Sequence, residues 1–191
     1  MNDAPLKRYV VRKRTMFSLL VPMVIVIFSR PTIPLLLAGA ALALVGEAIR
    51  IWAAGCIDKN AALACKGPFA YVRNPLYLGS LFIAAGYCVM SGLWWAYVVM
   101  ALLYWVFYVG TIEAEEEHLR SVLGEPYLAY CQVVPRLVPR ATPLRNTDGP
   151  AFSWARVRNN REQQSIYGVT FFLVAFTLVC MYHPNLLPGA R

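Results

Sequence analysis

Arg73 is set among residues that prevent a regular helix, and its side chain is suited to binding an anion. It lies in the stretch GPFAYVRNPLYLG, residues 67–79, where glycine and proline occur on both sides of it. A planar guanidinium can donate two parallel hydrogen bonds to a carboxylate or a phosphate. The alternative is that Arg73 only fixes the orientation of the chain at a membrane boundary, and its position alone does not decide between the two interpretations.

A group of four glutamates, Glu113, Glu115, Glu116 and Glu117, is the second feature that suggests chemistry. On a helix, Glu113 and Glu117 share a face, and Glu116 is spaced to pair with Arg120. A solvated helix that leaves the membrane accounts for most charge runs of this kind. Like charges at a bilayer boundary repel one another, however, so we expect at least one of these carboxylates to meet a cation.

Glu47 and Arg50 form a third charged feature, inside a long apolar segment. Their spacing of three residues lets them neutralise one another on a helix. An ionisable pair at membrane depth is also a candidate functional site. We take Glu47 and Arg50 as weaker candidates for binding a substrate.

Composition indicates that these residues are positioned by membrane helices. The chain is 59% hydrophobic and 15% charged, with a mean hydropathy of +0.50, which is typical of an integral membrane protein. We predict an all-α fold with about five transmembrane helices, in one domain over residues 1–191. The apolar segments are 16–28, 33–54, 76–90, 93–112 and 166–182.

The connections between these segments complete the predicted architecture. Ser91 and Gly92 alone join the third and fourth segments, which predicts a helical hairpin. Residues 113–123 continue the fourth segment as a charged helix that Gly124 ends. Residues 152–164 place aromatic residues among arginines and predict a helix lying on the membrane surface.

The distribution of basic residues predicts the topology. If the N-terminus and the regions 55–74 and 113–165 share one side, that side holds all but Arg30 and Arg191 of the 18 basic residues. Basic residues accumulate on the cytoplasmic side. We therefore expect an inner-membrane protein, bacterial in type, with a cytoplasmic N-terminus and an external C-terminus, and we assign the net charge of +8 to topology rather than to nucleic-acid binding.

Other common catalytic arrangements are not predicted. The five cysteines and two histidines lack the spacing of metal ligands, so we expect no metal site. The sequence has no glycine-rich nucleotide motif, and it offers no serine–histidine–aspartate set.

Two blocks of the sequence resemble one known family. The stretch GPFAYVRNPLYLG resembles the G-x-Y-x-x-x-R-[HN]-P-x-Y segment of the isoprenylcysteine carboxyl methyltransferase and phospholipid N-methyltransferase superfamily. The stretch EEEHLRSVLGEPYLAYCQVVPRLVP resembles its second signature, E-E-x-x-L-x-x-x-[FL]-G-x-x-Y-x-x-Y-x-x-x-V-P-R. The blocks occur in the family's order, with a predicted hairpin between them, and define a signature core over residues 67–139.

The resemblance implies an integral membrane methyltransferase whose S-adenosylmethionine lies in a cytoplasm-facing pocket and leaves as S-adenosylhomocysteine. A lipid-like, amphiphilic acceptor would enter from the lipid bilayer. By position, Arg73, Glu115 and Glu116 would organise the reaction. The matching cofactor-binding positions are Gly67, Phe69, Tyr71, Arg73, Asn74, Pro75, Tyr77 and Glu116.

Departures from the family pattern bear on the acceptor. Asn74 stands where the prenylcysteine branch usually has histidine, Phe69 replaces the usual tyrosine, and the residues before the Val134–Pro135 pair are not basic. An isoprenylcysteine-like carboxyl acceptor and a phospholipid amine both stay open. A membrane reductase and a non-catalytic scaffold of the same fold are the more distant alternatives.

Overall fold

The computed structural model describes residues 19–58, 63–145 and 149–182, and within these ranges all regular structure is helical. This confirms the predicted all-α class. The α-helices, in chain order, are α1 (Leu19–Phe28), α2 (Ile33–Cys56), α3 (Pro75–Ser91), α4 (Trp94–Tyr104), α5 (Gly110–Leu123), α6 (Glu125–Val133), α7 (Trp154–Asn159) and α8 (Gln163–Tyr182). A π-helical stretch, Trp105–Val109, joins α4 and α5 into one continuous rod, Trp94–Leu123.

Three of these helical rods are long and apolar enough to cross a membrane: α2, the α4–α5 rod and α8. Helices α1 and α3 are apolar but shorter. Together they correspond to the five predicted apolar segments, and they identify an integral membrane protein. The start of the first predicted segment, at Met16, lies outside the described residues.

Reciprocal glycine contacts hold α2 and α3 together as an antiparallel pair. A Cβ atom built on Gly46 would lie 2.5 Å from the carbonyl oxygen of Gly79, and one built on Gly39 would lie 2.5 Å from that of Gly86. The glycines are seven residues apart on each helix, so they face the partner at two successive levels. Only glycine permits this backbone approach, which the small residues of the second segment predicted.

Helix α8 packs against this pair and against α1 through a core of large apolar side chains. Tyr87 of α3 lies 5.1 Å from Phe172 and 6.0 Å from Phe176 of α8, measured between ring centroids. Ile25 of α1 and Met90 of α3 complete this cluster and are fully buried. The core fixes α8 beside the site that is described below.

The connections follow the prediction in two places and depart from it in one. Gly92 ends α3 with a φ of 65°, and Gly124 ends α5 with a φ of 59°. The predicted surface helix over residues 152–164 was wrong in extent, because α7 ends at Asn159 and α8 begins at Gln163. Arg161, in the turn between them, has a left-handed backbone with a φ of 59°.

Candidate functional site

The loop before α3 is shaped by a glycine that another residue could not replace. Gly67 has a φ of 63°, and a Cβ atom there would lie 2.7 Å from the Sγ of Cys56. A short 3-10 helix, Gly67–Ala70, follows, and α3 begins at Pro75. The loop therefore bends sharply beneath the end of α2 and presents residues 69–77 to the interior of the bundle.

The segment after α6 lies against this loop and joins the two signature blocks physically. The amide of Arg73 donates to the carbonyl of Pro135 (2.9 Å), and the amide of Arg140 donates to that of Tyr71 (3.0 Å). The hydroxyl of Tyr130 donates to the carbonyl of Phe69 (2.8 Å). The loop conformation thus depends on residues some 60 positions further along the chain.

Glu116 is the buried centre of the ion-pair network and is only 2% exposed. Its Oε2 accepts hydrogen bonds from Nε and Nη2 of Arg136, at 3.2 and 2.8 Å. Its Oε1 accepts one from Nδ2 of Asn74 at 3.0 Å and lies 3.5 Å from Nη1 of Arg73. Both oxygens are satisfied by protein groups, so Glu116 positions Arg73 and Asn74 for the site.

The charge state of this network follows from its hydrogen bonds. The hydrogen bonds from Arg136 to Glu116 raise the pKa of the guanidinium above its ordinary value. Asn74 also donates to the carbonyl of Arg136 at 3.2 Å. Arg136 is therefore a permanent cation. Its side chain donates to Glu116, and its carbonyl accepts a hydrogen bond from Asn74.

One donor of Arg73 has no hydrogen-bond partner among the described residues. The Arg73 side chain is only 14% exposed, and the donor in question is its buried Nε. A buried donor in this state costs about 1–3 kcal/mol unless something accepts its hydrogen bond. Arg73 lines a cavity of about 210 Å³ together with Phe69, Asn74, Tyr77 and Glu115.

Glu115, Tyr77 and Tyr108 also line this cavity, and Tyr104 packs against Tyr108 behind them. The hydroxyl of Tyr77 donates to Oε2 of Glu115 at 2.8 Å. The ring of Tyr108 meets that of Tyr77 edge-on at 5.5 Å and stacks on that of Tyr104 at 4.6 Å. Tyr108 lies in the π-helical stretch, a local distortion that is frequent at functional sites.

A second, larger cavity of about 910 Å³ adjoins the first, and Arg50, Ser80 and Tyr108 line both. Most of its lining is apolar and comes from α1, α3, α4 and α8, as in Leu103 and Phe172. Its volume falls in the usual range for small-molecule sites. The larger cavity is therefore of a size that could take a small molecule, next to the smaller cavity.

One end of the larger cavity carries a polar cluster centred on Arg50. The Nε of Arg50 lies 2.7 Å from Oε1 of Glu162 and donates to Oγ of Ser165 at 3.0 Å. Its Nη1 donates to Oγ of Ser80 at 2.6 Å. The Ser165 hydroxyl donates in turn to Oε2 of Glu47 at 2.7 Å, so Glu47 and Arg50 are joined through Ser165.

Most of the residues that were predicted from the sequence lie near one another in the structure, but only some of them line the small cavity. The small cavity is lined by Phe69, Arg73, Asn74, Pro75, Tyr77 and Glu115, with Arg50 at its border. Gly67, Tyr71 and Glu116 are outside that lining and shape the loop behind it. Glu117, rather than Glu116, meets Arg120, at 3.5 Å, while Glu116 turns inward.

Several residues at or beside this site were not among the predicted site residues. Arg136 stands in the quoted second signature, so its place in the motif was a usable signal. Tyr104 and Tyr108 are four residues apart, which places them on one helix face. Glu162 and Ser165 had no signal, because their region was predicted to be a surface helix.

Comparisons with known proteins identify similar sequences. The profile of the family described as "Phospholipid methyltransferase" matches residues 46–126. The chain is 30% identical over 103 residues to a protein-S-isoprenylcysteine O-methyltransferase of Schizosaccharomyces pombe, covering 54% of this chain and 44% of that protein. It is 30% identical over 82 residues to protein-S-isoprenylcysteine O-methyltransferase B of Arabidopsis thaliana, covering 43% and 42%.

A third relative carries a different name. The chain is 33% identical over 118 residues to the cobalt-zinc-cadmium resistance protein CzcN of Cupriavidus metallidurans, covering 59% of this chain and 53% of that protein. The matches to these three relatives span about half of each relative's length. No solved structure matches this chain significantly.

Proposed function

We propose that this chain is a membrane methyltransferase that uses S-adenosylmethionine, because residues 46–126 match the family described as "Phospholipid methyltransferase" and about half of the chain is similar to protein-S-isoprenylcysteine O-methyltransferases. When bound, this cofactor supplies an electrophilic methyl group: a lone pair of the acceptor bonds to the methyl carbon as the carbon–sulfur bond breaks, and its electrons stay on sulfur. Two cavities that share a border of Arg50, Ser80 and Tyr108 are the observation that supports this proposal most.

The residues around the small cavity fit the charges of the cofactor. The unpartnered Nε of Arg73 is suited to the carboxylate of the methionine part. The carboxylate of Glu115 and the rings of Tyr77 and Tyr108 are suited to its ammonium and sulfonium groups. The volume of about 210 Å³ is small for a whole ligand, so the cofactor would extend along the border toward the larger cavity.

In this proposal the site residues divide into two roles. Arg73, Glu115 and Tyr77 contact the cofactor, and Asn74 and Pro75 shape the wall at the start of α3. Glu116 is a positioning residue, because both of its oxygens are already held by protein groups. The apolar cavity takes the chain of a lipid-like acceptor and keeps water away from the transfer, which needs alignment more than it needs acid–base groups.

We propose that this site faces the cytoplasm. The site lies at the end of the bundle where α2 ends and α3 and α8 begin, because Arg50 contacts both Leu76 and Ser165. Arg30 lies at the opposite end, where its amide donates to the carbonyl of Ser91. This separation matches the charge asymmetry that places the basic regions inside.

Calorimetry of the detergent-solubilised protein with S-adenosylhomocysteine tests the proposal. We expect binding by the wild type and a loss of at least about tenfold in affinity for Arg73→Ala, which removes a charge-assisted donor. Glu117→Ala is the matched control, because its side chain is 74% exposed and does not line the cavity. Absence of binding by the folded wild type would favour a non-catalytic scaffold.

The acceptor has two candidates within this proposal, an isoprenylcysteine-like carboxyl group and the amine of a phospholipid. The description of the matching family and the name of the relative from Schizosaccharomyces pombe correspond to these two classes. The described residues contain no group of three or more potential metal ligands. Lipid analysis of cells with and without the gene tests the phospholipid candidate, which unchanged methylation of headgroups would exclude.

A further inference from the structure

Helix α7 and the turn after it turn an aromatic and basic face outward, beyond the residues that the family profile matches. We propose that this face binds the phosphate of an anionic membrane phospholipid, of which phosphatidylglycerol is the simplest example. Phosphatidylglycerol has neither the amine nor the carboxyl group of the two acceptor candidates. It would therefore be a bound partner of the protein rather than a methyl acceptor, and its binding does not depend on the proposed function.

Hydrogen bonds hold α7 against the end of α2, which is long and apolar enough to cross a membrane. The amide of Ser153 donates to the carbonyl of Gly55 at 3.0 Å. Nδ2 of Asn160 donates to the carbonyls of Ala54 and Ile57, at 2.8 and 3.1 Å. Helix α8, another candidate span, begins directly after the turn that follows α7. Helix α7 thus lies where two spanning helices end, which is the level of the lipid headgroups.

The two faces of α7 differ in burial. Val157 faces the protein and is 5% exposed. Trp154 is 69% exposed, and the exposed Arg158 is four residues away, so the two share the outward face. Phe152 is 40% exposed and meets Trp154 edge-on, with 5.1 Å between ring centroids. Exposed aromatic rings are typical of the membrane interface, and Arg158 beside them is placed to meet headgroups.

Two arginines give this face a positive charge. Arg158 is exposed on α7, and Arg161 is exposed in the turn after it. Neither forms an ion pair within the described part of the chain. Arg161 also lines the larger cavity, but the adjacent Glu162 is buried and pairs with Arg50 at 2.7 Å. The charge of Arg161 is therefore not cancelled by its neighbour.

The described carboxylates do not neutralise these two cations. Glu47 accepts a hydrogen bond from Ser165 inside the bundle, Glu115 accepts one from Tyr77, and Glu125 begins α6. The remaining acidic residues pair with other arginines, and they are Asp58, Glu113, Glu116, Glu117 and Glu162. A face with two unpaired arginines at the membrane boundary is complementary to an anionic headgroup.

The surroundings favour a lipid over a free phosphate ion. A guanidinium can donate two parallel hydrogen bonds to phosphate oxygens, and Arg158 and Arg161 both offer such donors. Helix α8 continues into the bilayer from the turn that carries Arg161, and it exposes Tyr167 and Phe171, which are 71% and 50% exposed and four residues apart. Their apolar rings offer acyl chains a surface below the headgroup, which a free phosphate ion would not use.

Native mass spectrometry of the full chain, released from detergent micelles, tests the inference by titration with dioleoylphosphatidylglycerol and dioleoylphosphatidylcholine. We expect the anionic lipid to bind at least about tenfold more tightly, since each arginine near the surface contributes about fivefold. Arg158→Gln should lower the affinity for phosphatidylglycerol about fivefold and leave that for phosphatidylcholine unchanged. Arg158→Lys keeps the charge and should keep the preference.

Arg30→Gln is the matched control. Arg30 is also exposed and forms no ion pair with a described residue, but it lies at the opposite end of the bundle, where its amide donates to Ser91. Its substitution should change neither affinity. Arg158 lines neither cavity, so Arg158→Gln should also leave S-adenosylhomocysteine binding unchanged.

Three results would overturn the inference. Equal wild-type affinities for the two lipids would show no preference for the anion. Equal losses in Arg158→Gln and Arg30→Gln would show a general effect of charge rather than a site. Displacement of phosphatidylglycerol by an equal concentration of inorganic phosphate would assign the site to the free ion. If Arg158→Gln does not keep its helices by circular dichroism, Arg161→Gln tests the second cation, with the same fivefold loss expected.

Discussion

Arg136 donates two hydrogen bonds to one carboxylate oxygen of Glu116, from its Nε at 3.2 Å and from its Nη2 at 2.8 Å. The arginine comes after α6, whereas the glutamate lies on α5, and Asn74 of the loop donates to the glutamate's other oxygen. One buried carboxylate therefore ties together the two signature blocks. The site loop, the glutamate helix and the segment after α6 form one unit.

This unit makes Glu116 a stability determinant as well as a site residue. Glu116→Ala leaves the buried Arg73 without its carboxylate and should lower the free energy of unfolding by about 3 kcal/mol. Glu117→Ala, one residue away, removes only a surface pair at 3.5 Å from Arg120 and should change it by less than about 1 kcal/mol. Chemical unfolding in detergent micelles measures both, and equal effects of the two variants would contradict the network.

Tyr108 is predicted to contribute to cofactor binding through its ring. Tyr108→Leu removes an aromatic face at the border of both cavities and should weaken S-adenosylmethionine binding by roughly threefold to thirtyfold. The loss should be smaller for S-adenosylhomocysteine, which lacks the sulfonium charge. Tyr97→Leu is the control, because Tyr97 is on the same helical rod but 48% exposed and outside both cavity linings.

Comparison of the two cofactor forms decides whether the ring acts on the charge. Calorimetry on both variants gives the affinities, and circular dichroism shows whether each variant keeps its helices. A Tyr108→Leu protein that loses the same factor for both forms would indicate a packing role. An effect of Tyr97→Leu of similar size would point to a general perturbation of the rod.

The helices could be predicted from the sequence because their determinants are local. Long apolar runs bounded by glycine or proline predicted α2 and α3 to within two residues at each end, and Ser91–Gly92 marked the hairpin. Arg73 and Glu115 were predicted as site residues because they stand in the two quoted sequence blocks. The partner of Glu116 was not predicted, since the helical spacing rule favoured Arg120, and the chain reversal that brings Arg136 inward is a tertiary effect.

The polar end of the larger cavity was predictable only in part. Glu47 and Arg50 attract attention because charges are rare in apolar segments. Glu162 and Ser165 lie in a polar region of the sequence, where charged residues are common. The helix break at Arg161 contains no glycine from which it could have been predicted. Only the packing of α8 against α2 shows that these residues meet.

Alkaline pH is predicted to destabilise the protein through the tyrosines of α6. Burial raises the pKa of Tyr127 and of Tyr130 above the ordinary phenol value of 10.0 and that of the Cys65 thiol above 9.0. The unfolded chain releases these protons at the ordinary values, whereas the folded chain retains them. The stabilisation is therefore complete below about pH 9 and decreases as the pH rises through the ordinary pKa values.

Chemical unfolding between pH 7.5 and 10.5 checks this dependence. The free energy of unfolding should be nearly level at the lower end and fall toward the upper end. Tyr127→Phe removes one of the titrating groups without removing the Tyr130 hydrogen bond to Phe69, so its decrease should be shallower. A free energy that stays level or rises above pH 9 would contradict the assigned shifts.

The closest helix contact makes a prediction about Gly79, which faces both Gly46 and Arg50. A Cβ atom at Gly79 would lie 2.6 Å from the carbonyl oxygen of Gly46 and 2.6 Å from Cγ of Arg50. Because the first of these is backbone, the two helices must move apart, and Gly79→Ala should lower the free energy of unfolding by about 1–3 kcal/mol. The displaced Arg50 should also lose its contacts with Ser80, so binding of S-adenosylhomocysteine, which is proposed to lie beside Arg50, should weaken.

Gly110 provides the matched control for this substitution. It is also a helical glycine, but no atom of the described residues lies within 4 Å of a Cβ atom built there. Gly110→Ala should leave S-adenosylhomocysteine binding unchanged and raise the free energy of unfolding by up to about 1 kcal/mol, because alanine favours helix more than glycine does. Equal stability of Gly79→Ala and Gly110→Ala would contradict the close contact between α2 and α3. The position of Arg50 between the two cavities would then not depend on that contact.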